Sequence, residues 1–315
     1  MPEVKYTLVA GGAGFLGSHL CKRLVDEGDN VLCIDNLYTG SIKNLKNLEG
    51  KNNFIFLEEN IIERIRSESP IKRIFNLACP ASPANYQKDP IFPLRTCFEG
   101  SLNLLNIAKD YEIPIFQAST SEIYGDPLEH PQRISYWGNV NPIGIRSCYD
   151  EGKRVAETLF FDFHRNFNID IKVARIFNTY GPYMDINDGR VVSNFIVQAL
   201  KNLPITIYGD GNQTRSFCYV DDLIDAFLLM MEDQSKPRQL YNVGNPEEFT
   251  VKDLAKKIIK LTNSKSEIIY LELPADDPVK RKPDITEIRS DLGWEPKIDL
   301  EEGLLKSIKY FQKLL

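Results

Sequence analysis

The sequence predicts an α/β protein: a doubly wound parallel sheet, followed by a smaller C-terminal substrate lobe. Three observations carry that expectation. Short apolar runs alternate with amphipathic helical stretches through the first half of the chain. A glycine cluster separates the first apolar run from the first helical stretch. From about Asn178 the rhythm changes to longer loops rich in Gly, Asp, Asn and Pro. Strands alternating with helices pair in parallel through crossovers, and the crossover helices cover both faces of the sheet.

The elements follow in order. Residues 4–10 read as a short apolar strand, and residues 15–26 as a helix with Leu16, Leu20 and Leu24 on one face. A second strand over 31–34 ends at Asp35. Strands are predicted at 54–57, 74–78, 113–118 and 171–176, and helices at 94–110 and 148–166. Later helices each begin after a residue suited to cap them: Thr250 before 251–261, Asp284 before 285–292, and Asp299 before 300–315. These signals place a nucleotide-binding domain at 1–177 and a mainly substrate-binding lobe at 178–315. Segments near 191–203 and 219–231 are candidates for crossing back to the first unit.

The bulk properties exclude several function classes. The chain has 315 residues, 43% of them hydrophobic and 26% charged, with a formal charge of -6. An acidic balance does not favour nucleic acid, which needs a concentrated basic face. The start, Met1-Pro2-Glu3-Val4-Lys5, lacks the pattern of a signal peptide, and no apolar run is long enough to span a bilayer. Six cysteines are scattered without a C-x-x-C pair, and His19, His130 and His164 lie far apart in sequence. The expectation is a cytoplasmic protein with reduced thiols, no metal site and no membrane segment.

The first chemical motif is Gly11-Gly12-Ala13-Gly14-Phe15-Leu16-Gly17. Glycine allows a tight turn and lets backbone N–H groups approach a pyrophosphate at a helix N-terminus, as in a Rossmann-type unit. Asp35 closes the second strand at the distance expected of an acid that binds a ribose. Its carboxylate would repel a 2′-phosphate, so NAD is expected rather than NADP.

The second motif is Tyr149-Asp150-Glu151-Gly152-Lys153, which sets Tyr149 and Lys153 one turn apart on a helix face. A nearby ammonium and a positive nicotinamide both favour the phenolate, so Tyr149 is a candidate general base. The strand-end segment Ser119-Thr120-Ser121-Glu122 adds hydroxyls and a carboxylate where such a sheet presents its chemistry.

Together these residues resemble the extended short-chain dehydrogenase/reductase superfamily, in its nucleotide-sugar branch. The likeness continues through Arg175-Ile176-Phe177-Asn178, Tyr208-Gly209-Asp210-Gly211 and Tyr219-Val220-Asp221-Asp222. Ala78-Cys79-Pro80-Ala81-Ser82-Pro83, Asp188-Gly189-Arg190-Val191 and Arg281-Lys282-Pro283-Asp284 narrow it to the UDP-glucuronate decarboxylase (UDP-xylose synthase) family. Related 4,6-dehydratases carry Asp before the glutamate where this chain has Ser121, and simple C4 epimerases lack a glutamate at the position of Glu122.

The resemblance implies an extended Rossmann-type fold and decarboxylation of UDP-glucuronate to UDP-xylose through a 4-keto intermediate. It implies tightly held NAD that is regenerated each cycle, and a homodimer formed through the helices at 94–110 and 148–166. It assigns catalysis to Tyr149, Lys153, Glu122, Thr120, Ser121 and Arg281. It places Phe15, Leu16, Asn36, Thr39, Gly40 and Asn60 at the cofactor, with Ile61, Leu77, Ala78, Ser119 and Arg190. Pro83, Tyr86, Arg95, Asn103 and Asn178 are implied to face the nucleotide sugar, with Asn194, Tyr208, Arg215 and Arg281. Asn60, Ile145, Phe163 and Tyr183 depart from the usual family residues.

Overall fold

A computed structural model describes residues 4–65, 69–233, 235, 238–272 and 280–315. Met1, Pro2 and Glu3, where the reading of the N-terminus begins, lie outside these residues. Six strands follow the alternation seen in the sequence: β1 (Tyr6–Ala10), β2 (Val31–Asp35), β3 (Phe54–Glu58), β4 (Ile71–Asn76), β5 (Ile115–Thr120) and β6 (Ile171–Ile176). A seventh, Leu240–Val243, joins them at the edge beside β6. The spatial order is Leu240–Val243, β6, β5, β4, β1, β2, β3, and every neighbouring pair is parallel. Every residue of β2 and of β5 is buried. That is the burial of central parallel strands covered by helices on both faces.

The chain winds outward in both directions from β1 and β4, so a crevice opens between their carboxyl ends. The helix Phe15–Asp26 covers one flank, and its buried residues are Gly17, Ser18, Leu20, Cys21, Leu24 and Val25. Several boundaries differ from the sequence reading: β4 begins at Ile71 instead of 74, β5 runs over Ile115–Thr120 instead of 113–118, and two further differences have local reasons. β4 stops at Asn76 instead of continuing to 78, because the Asn76 carboxamide oxygen accepts from the Ala78 N–H at 3.3 Å and turns the chain. The Asn76 NH2 group donates to Gln117 at 2.8 Å, which ties that turn to β5. The helix expected at 94–110 begins at Ile91 and is interrupted by one π turn, Thr96–Gly100, before continuing over Ser101–Asp110. Gly100 is needed there, since a Cβ would lie 2.5 Å from the Ile61 side chain.

The later caps form largely as expected. The Thr250 hydroxyl accepts from the Asp253 N–H at 3.0 Å and the Asp299 carboxylate from the Glu302 N–H at 2.8 Å. Asp284 accepts from the Thr286 N–H at 3.0 Å, and the helix proper starts one residue late, as Thr286–Leu292.

Beyond residue 177 the chain builds a small lobe and also returns to the main sheet. The lobe contains a parallel pair, Ile205–Tyr208 with Ile268–Leu271, and a three-stranded sheet of Glu248–Thr250, Thr214–Ser216 and Lys280–Arg281. The helix Val191–Leu200 packs on the helix Val251–Thr262, within the lobe. The helix Val220–Glu232 instead packs against Phe15–Asp26, β5 and β6, and the edge strand Leu240–Val243 follows it. A single cut at 177 therefore does not separate the two units. Among the described residues no helix is long and apolar enough to cross a membrane.

Candidate active site

The crevice between β1 and β4 holds a cavity of about 460 Å³. Its floor is the glycine turn. A Cβ on Gly17 would sit 2.1 Å from the Gly11 carbonyl oxygen, so only glycine lets the helix start this close to the turn. Gly11 has φ +77°, and a Cβ there would lie 2.8 Å from the Ala78 backbone. Asp35, at the end of β2, accepts from the Ala13 N–H at 3.0 Å and the Leu37 N–H at 2.8 Å. Burial pushes its carboxyl above the usual range against those backbone donors. Gly40 packs on the same carboxylate, at 2.8 Å from an ideal Cβ. A glycine cradle at a helix N-terminus, with a buried acid one strand away, fits a dinucleotide.

Most of the residues expected at the cofactor line this cavity: Gly11, Gly14, Phe15, Leu16, Gly17 and Asp35, with Asn36, Thr39, Asn60, Ile61, Leu77, Ala78 and Arg190. Gly40, Ser119, Tyr149 and Lys153, also expected at the cofactor, are not in its wall; the Ser119 hydroxyl donates to Glu157 at 2.5 Å, within a buried network that also ties Arg175 to Glu157 at 2.8 Å. Arg190 pairs with Asp188 at 2.5 Å and lies over the Phe15 ring at 5.8 Å. Tyr183 and Asn60, two of the departures from the family pattern, also line the cavity. Tyr183 packs edge-on against His19 and Tyr310 at 5.1 and 5.4 Å between ring centroids.

Tyr149 and Lys153 stand on the helix Ser147–Phe167, both buried. The Lys153 ammonium donates to the Ala118 carbonyl at 2.8 Å and lies 5.8 Å from the Tyr149 ring centroid. Burial pushes the Tyr149 phenol well up, and the Thr120 hydroxyl pulls the other way through a hydrogen bond. Lys153 and a bound nicotinamide are together expected to favour the phenolate; burial opposes them, and the protein alone holds Tyr149 as a phenol. The Tyr86 ring stacks on Tyr149, with centroids 5.2 Å apart, and its buried hydroxyl has no hydrogen-bond partner among the described residues. An orphaned hydroxyl beside the candidate base is what a polar ligand would satisfy.

Glu122 is the second residue of the 3₁₀ turn Ser121–Tyr124, which follows β5. Its carboxylate accepts from Arg146 at 2.6 Å and from Arg281 at 3.3 Å. Burial alone would raise it, but the guanidiniums of Arg281, Arg146 and Arg215 hold it below the ordinary carboxylate range. Arg281 is only 1% exposed. Its other donors go to the Ser121 and Gly125 carbonyls, so its guanidinium fastens the lobe to the turn that carries Glu122.

Three residues implied to face the sugar do other things here. The Asn103 amide donates to the carbonyls of Ile61, Ile62 and Glu63 at 2.8, 2.9 and 3.3 Å, pinning the loop after β3. Arg95 is an exposed helix residue paired with Glu99, four residues on, at 2.7 Å. Asn194 donates to the Gly189 carbonyl at 3.0 Å. Tyr208 is 45% exposed at the end of its strand, Arg215 donates to its neighbour's carbonyl, and Asn178 accepts from the Cys218 N–H through its own carbonyl. Pro83 opens the short helix that carries Tyr86.

Sequence reasoning missed Arg146 and Asp150. A signal for Arg146 existed: a cation at a helix N-terminus opposes the helix dipole and needs an acidic partner elsewhere. The scattered cysteines also hid a close pair, Cys79 and Cys97, whose sulfurs are 3.4 Å apart. Among the described residues no cluster of His, Cys, Asp or Glu is arranged to hold a metal.

A seven-stranded parallel sheet, a glycine cradle at its switch point and a buried Tyr149–Lys153 pair define an extended short-chain dehydrogenase/reductase. Comparison with known proteins narrows the class. A family model described as GDP-mannose 4,6 dehydratase matches residues 8–307. UDP-glucuronic acid decarboxylase 5 of Arabidopsis thaliana is 52% identical over 299 residues, 94% of this chain and 86% of the relative. UDP-glucuronic acid decarboxylase 1 of Xenopus tropicalis is 48% identical over 312 residues, 99% of this chain and 73% of the relative. A UDP-glucuronic acid 4-epimerase from Bacillus cereus, solved with UDP-glucuronic acid and NAD, superposes with a TM-score of 0.88 at 26% identity, covering 98% of this chain and 100% of its own. The chain belongs to the UDP-glucuronic acid decarboxylase family, within the extended short-chain dehydrogenases/reductases.

Proposed function

We propose that this chain binds NAD in the β1/β4 crevice and converts UDP-glucuronate to UDP-xylose and carbon dioxide. The observation that carries the reading is Tyr149 beside Thr120 and Lys153, with Glu122 clamped between Arg146 and Arg281. When bound, NAD supplies a hydride acceptor for C4 of the sugar and later returns the hydride, so none is consumed. Tyr149 takes the C4 hydroxyl proton once added positive charge beside it offsets its burial. Thr120, hydrogen-bonded to the phenol, orients it. A ketone at C4 lies β to the C6 carboxylate, so the C5–C6 bond breaks with its electrons delocalised onto the ketone oxygen and carbon dioxide leaves. Glu122 and Ser121 position the ring. Arg281 acts by holding Glu122 and the 121–125 turn, since its donors are already engaged there. Tyr149 returns its proton to the C4 oxygen as that carbon is reduced.

The clamp around Glu122 suits decarboxylation better than dehydration. Elimination of water needs an acid beside the base, and Ser121 occupies the position where the dehydratases carry one. The second feature we infer is a homodimer through the outer face of the 91–110 helix, where Ile91, Leu94 and Phe98 are exposed at 62%, 38% and 43%.

The test is to incubate the pure protein with UDP-glucuronate, with and without added NAD, and identify the sugar nucleotide by NMR while trapping carbon dioxide. Equimolar UDP-xylose and carbon dioxide are expected. UDP-4-keto-pentose as the dominant product, or inversion at C4 with no gas released, would overturn the reading.

A further inference from the structure

Loss of carbon dioxide from a carboxylate leaves a carbon that must gain a proton. Each turnover therefore draws one proton from solvent to C5. The residues assigned so far do not supply it. Tyr149 removes a proton from the C4 oxygen and gives it back to the same atom. Glu122 is held in its charged form by three guanidiniums. Arg281 is a guanidinium, which does not release its proton in proteins. Thr120 and Ser121 can relay a proton but bring none of their own.

A second cavity, of about 200 Å³ and partly open to solvent, has Glu122 in its wall. Glu122, Gly125, Asn139, Arg146, Ser147 and Asp150 are in its wall. At ~30 Å³ of liquid volume per water, the space holds several. Asp150 is 8% exposed, and one of its carboxyl oxygens is buried with no hydrogen-bond partner among the described residues. A buried carboxylate oxygen left unpaired in this way is costly when charged and is satisfied by a proton or a water.

We propose that Asp150 carries the solvent proton that ends on C5 after carbon dioxide has left, a role that rests on the decarboxylase reading above. The C5–C6 bond breaks and its electron pair passes to the C4 oxygen as an enolate. The pair returns to form the new C5–H bond, with the proton coming from Asp150 through cavity water beside Glu122. The Asp150 carboxylate then takes a fresh proton from solvent through the same cavity, so one proton is consumed per carbon dioxide released.

The charges around Asp150 fit the task. Burial and the negative Glu122 raise its carboxyl, Arg146 and Arg281 oppose them, Glu151 adds a smaller push, and the balance lies at about 7. Tyr86 on the neighbouring short helix and Cys148 on the same helix also face it. A carboxyl with that value is half protonated near neutrality and refills quickly.

The experiment compares wild-type holoenzyme with Asp150→Asn and Asp150→Glu, following carbon dioxide, UDP-xylose and the absorbance of reduced nicotinamide in a single turnover. For Asp150→Asn, carbon dioxide release should stay within about threefold of wild type while UDP-xylose formation slows about 100-fold, the size of a general-acid contribution. Reduced nicotinamide should accumulate meanwhile, and Asp150→Glu should restore most of the rate. In the wild type, with no substitution, UDP-xylose formation should fall as pH rises through about 7, and carbon dioxide release should not follow it. Equal slowing of both products in Asp150→Asn, or a wild-type profile in which both fall together, overturns the proposal. A wild type that releases no carbon dioxide from UDP-glucuronate rejects the decarboxylase reading itself, and this proposal with it.

Discussion

The Arg146 guanidinium donates a 2.6 Å hydrogen bond to Glu122, from the N-cap of the helix that also carries Tyr149. That bond ties the end of β5 to the start of the catalytic helix, while Arg281 ties both to the lobe. Three chain segments thus meet on one carboxylate. Glu122 and Arg146 are half-buried and Arg281 is buried, so removing the carboxylate should cost stability, but less than a fully buried pair's loss of about 3–5 kcal/mol.

Glu122→Ala should therefore lower the melting temperature markedly and abolish carbon dioxide release, whereas Glu122→Gln keeps the shape and should melt at an intermediate temperature. The pH dependence has a definite sign. A carboxyl whose folded value is depressed contributes stability above its unfolded value of about 4.3 and loses it as pH falls through the folded one. Calorimetric melting in acid should show wild type losing stability faster than Glu122→Gln. Parallel curves would mean that Glu122 is not held in its charged form.

Tyr149→Phe removes one oxygen from a buried, stacked ring and leaves its packing on Tyr86 intact. Turnover should fall by about 100- to 10,000-fold, with dinucleotide and nucleotide-sugar affinities changed by less than about threefold. Isothermal titration beside a carbon dioxide assay separates the two. A variant that still turns over at the wild-type rate would remove Tyr149 from the chemistry.

Much of the fold was legible because each signal was local. The helix Phe15–Asp26 and the strand Ile171–Ile176 fall on the predicted residues, since apolar spacing and flanking glycines or polar residues define them without distant help. The glycine cradle and the Tyr149–Lys153 pair were equally legible, as each is a short motif on one element. What escaped depends on tertiary partners. The edge strand Leu240–Val243 is only four residues long and exists because β6 offers it an open edge. Arg95 and Asn103 had the right chemistry for a diphosphate, yet their helix turns one to solvent and the other into a loop. Arg146 and Asp150 were invisible as a unit because Glu122, their neighbour, lies more than twenty residues away in sequence.

Asn103→Ala tests that distinction. Its amide satisfies three loop carbonyls at Ile61, Ile62 and Glu63, next to the cofactor cavity. Losing these bonds at about 0.5–1.5 kcal/mol each should lower stability measurably. The Michaelis constant for UDP-glucuronate should change less than twofold, while the affinity for NAD weakens, because Asn60 and Ile61 line its side of the loop. A large rise in the substrate constant with stability unchanged would return Asn103 to the sugar site.

Gly17→Ala addresses the cradle itself. The added methyl would lie 2.1 Å from the Gly11 carbonyl oxygen and 2.6 Å from the Gly12 Cα, both backbone atoms that cannot rotate away. The helix N-terminus must then retreat from the turn, and the N–H groups that face the crevice move with it. NAD affinity should fall by at least about tenfold (~1.4 kcal/mol), read by titration, with a lower melting temperature that added NAD restores only in part. Unaltered NAD binding would show that the cavity is not a pyrophosphate site.

The outer face of the 91–110 helix supplies a last test. Ile91, Leu94 and Phe98 are spaced three and four residues apart, so they form one apolar stripe, and all three are exposed in the single chain. The same helix packs its inner side on Ser147–Phe167, which holds Tyr149. Covering the stripe with a second copy would bury apolar surface and brace the catalytic helix from behind. Leu94→Glu combined with Phe98→Glu puts two charges into that contact without touching the cavity lining. Light scattering at several concentrations should give a dimer mass for wild type and a monomer mass for the double variant, with helical circular dichroism unchanged. Turnover per chain should drop in the monomer, since Tyr149 then stands on a helix pair with one unsupported face. A wild-type monomer at every concentration would remove the contact from the account and leave the apolar stripe as solvent-exposed surface.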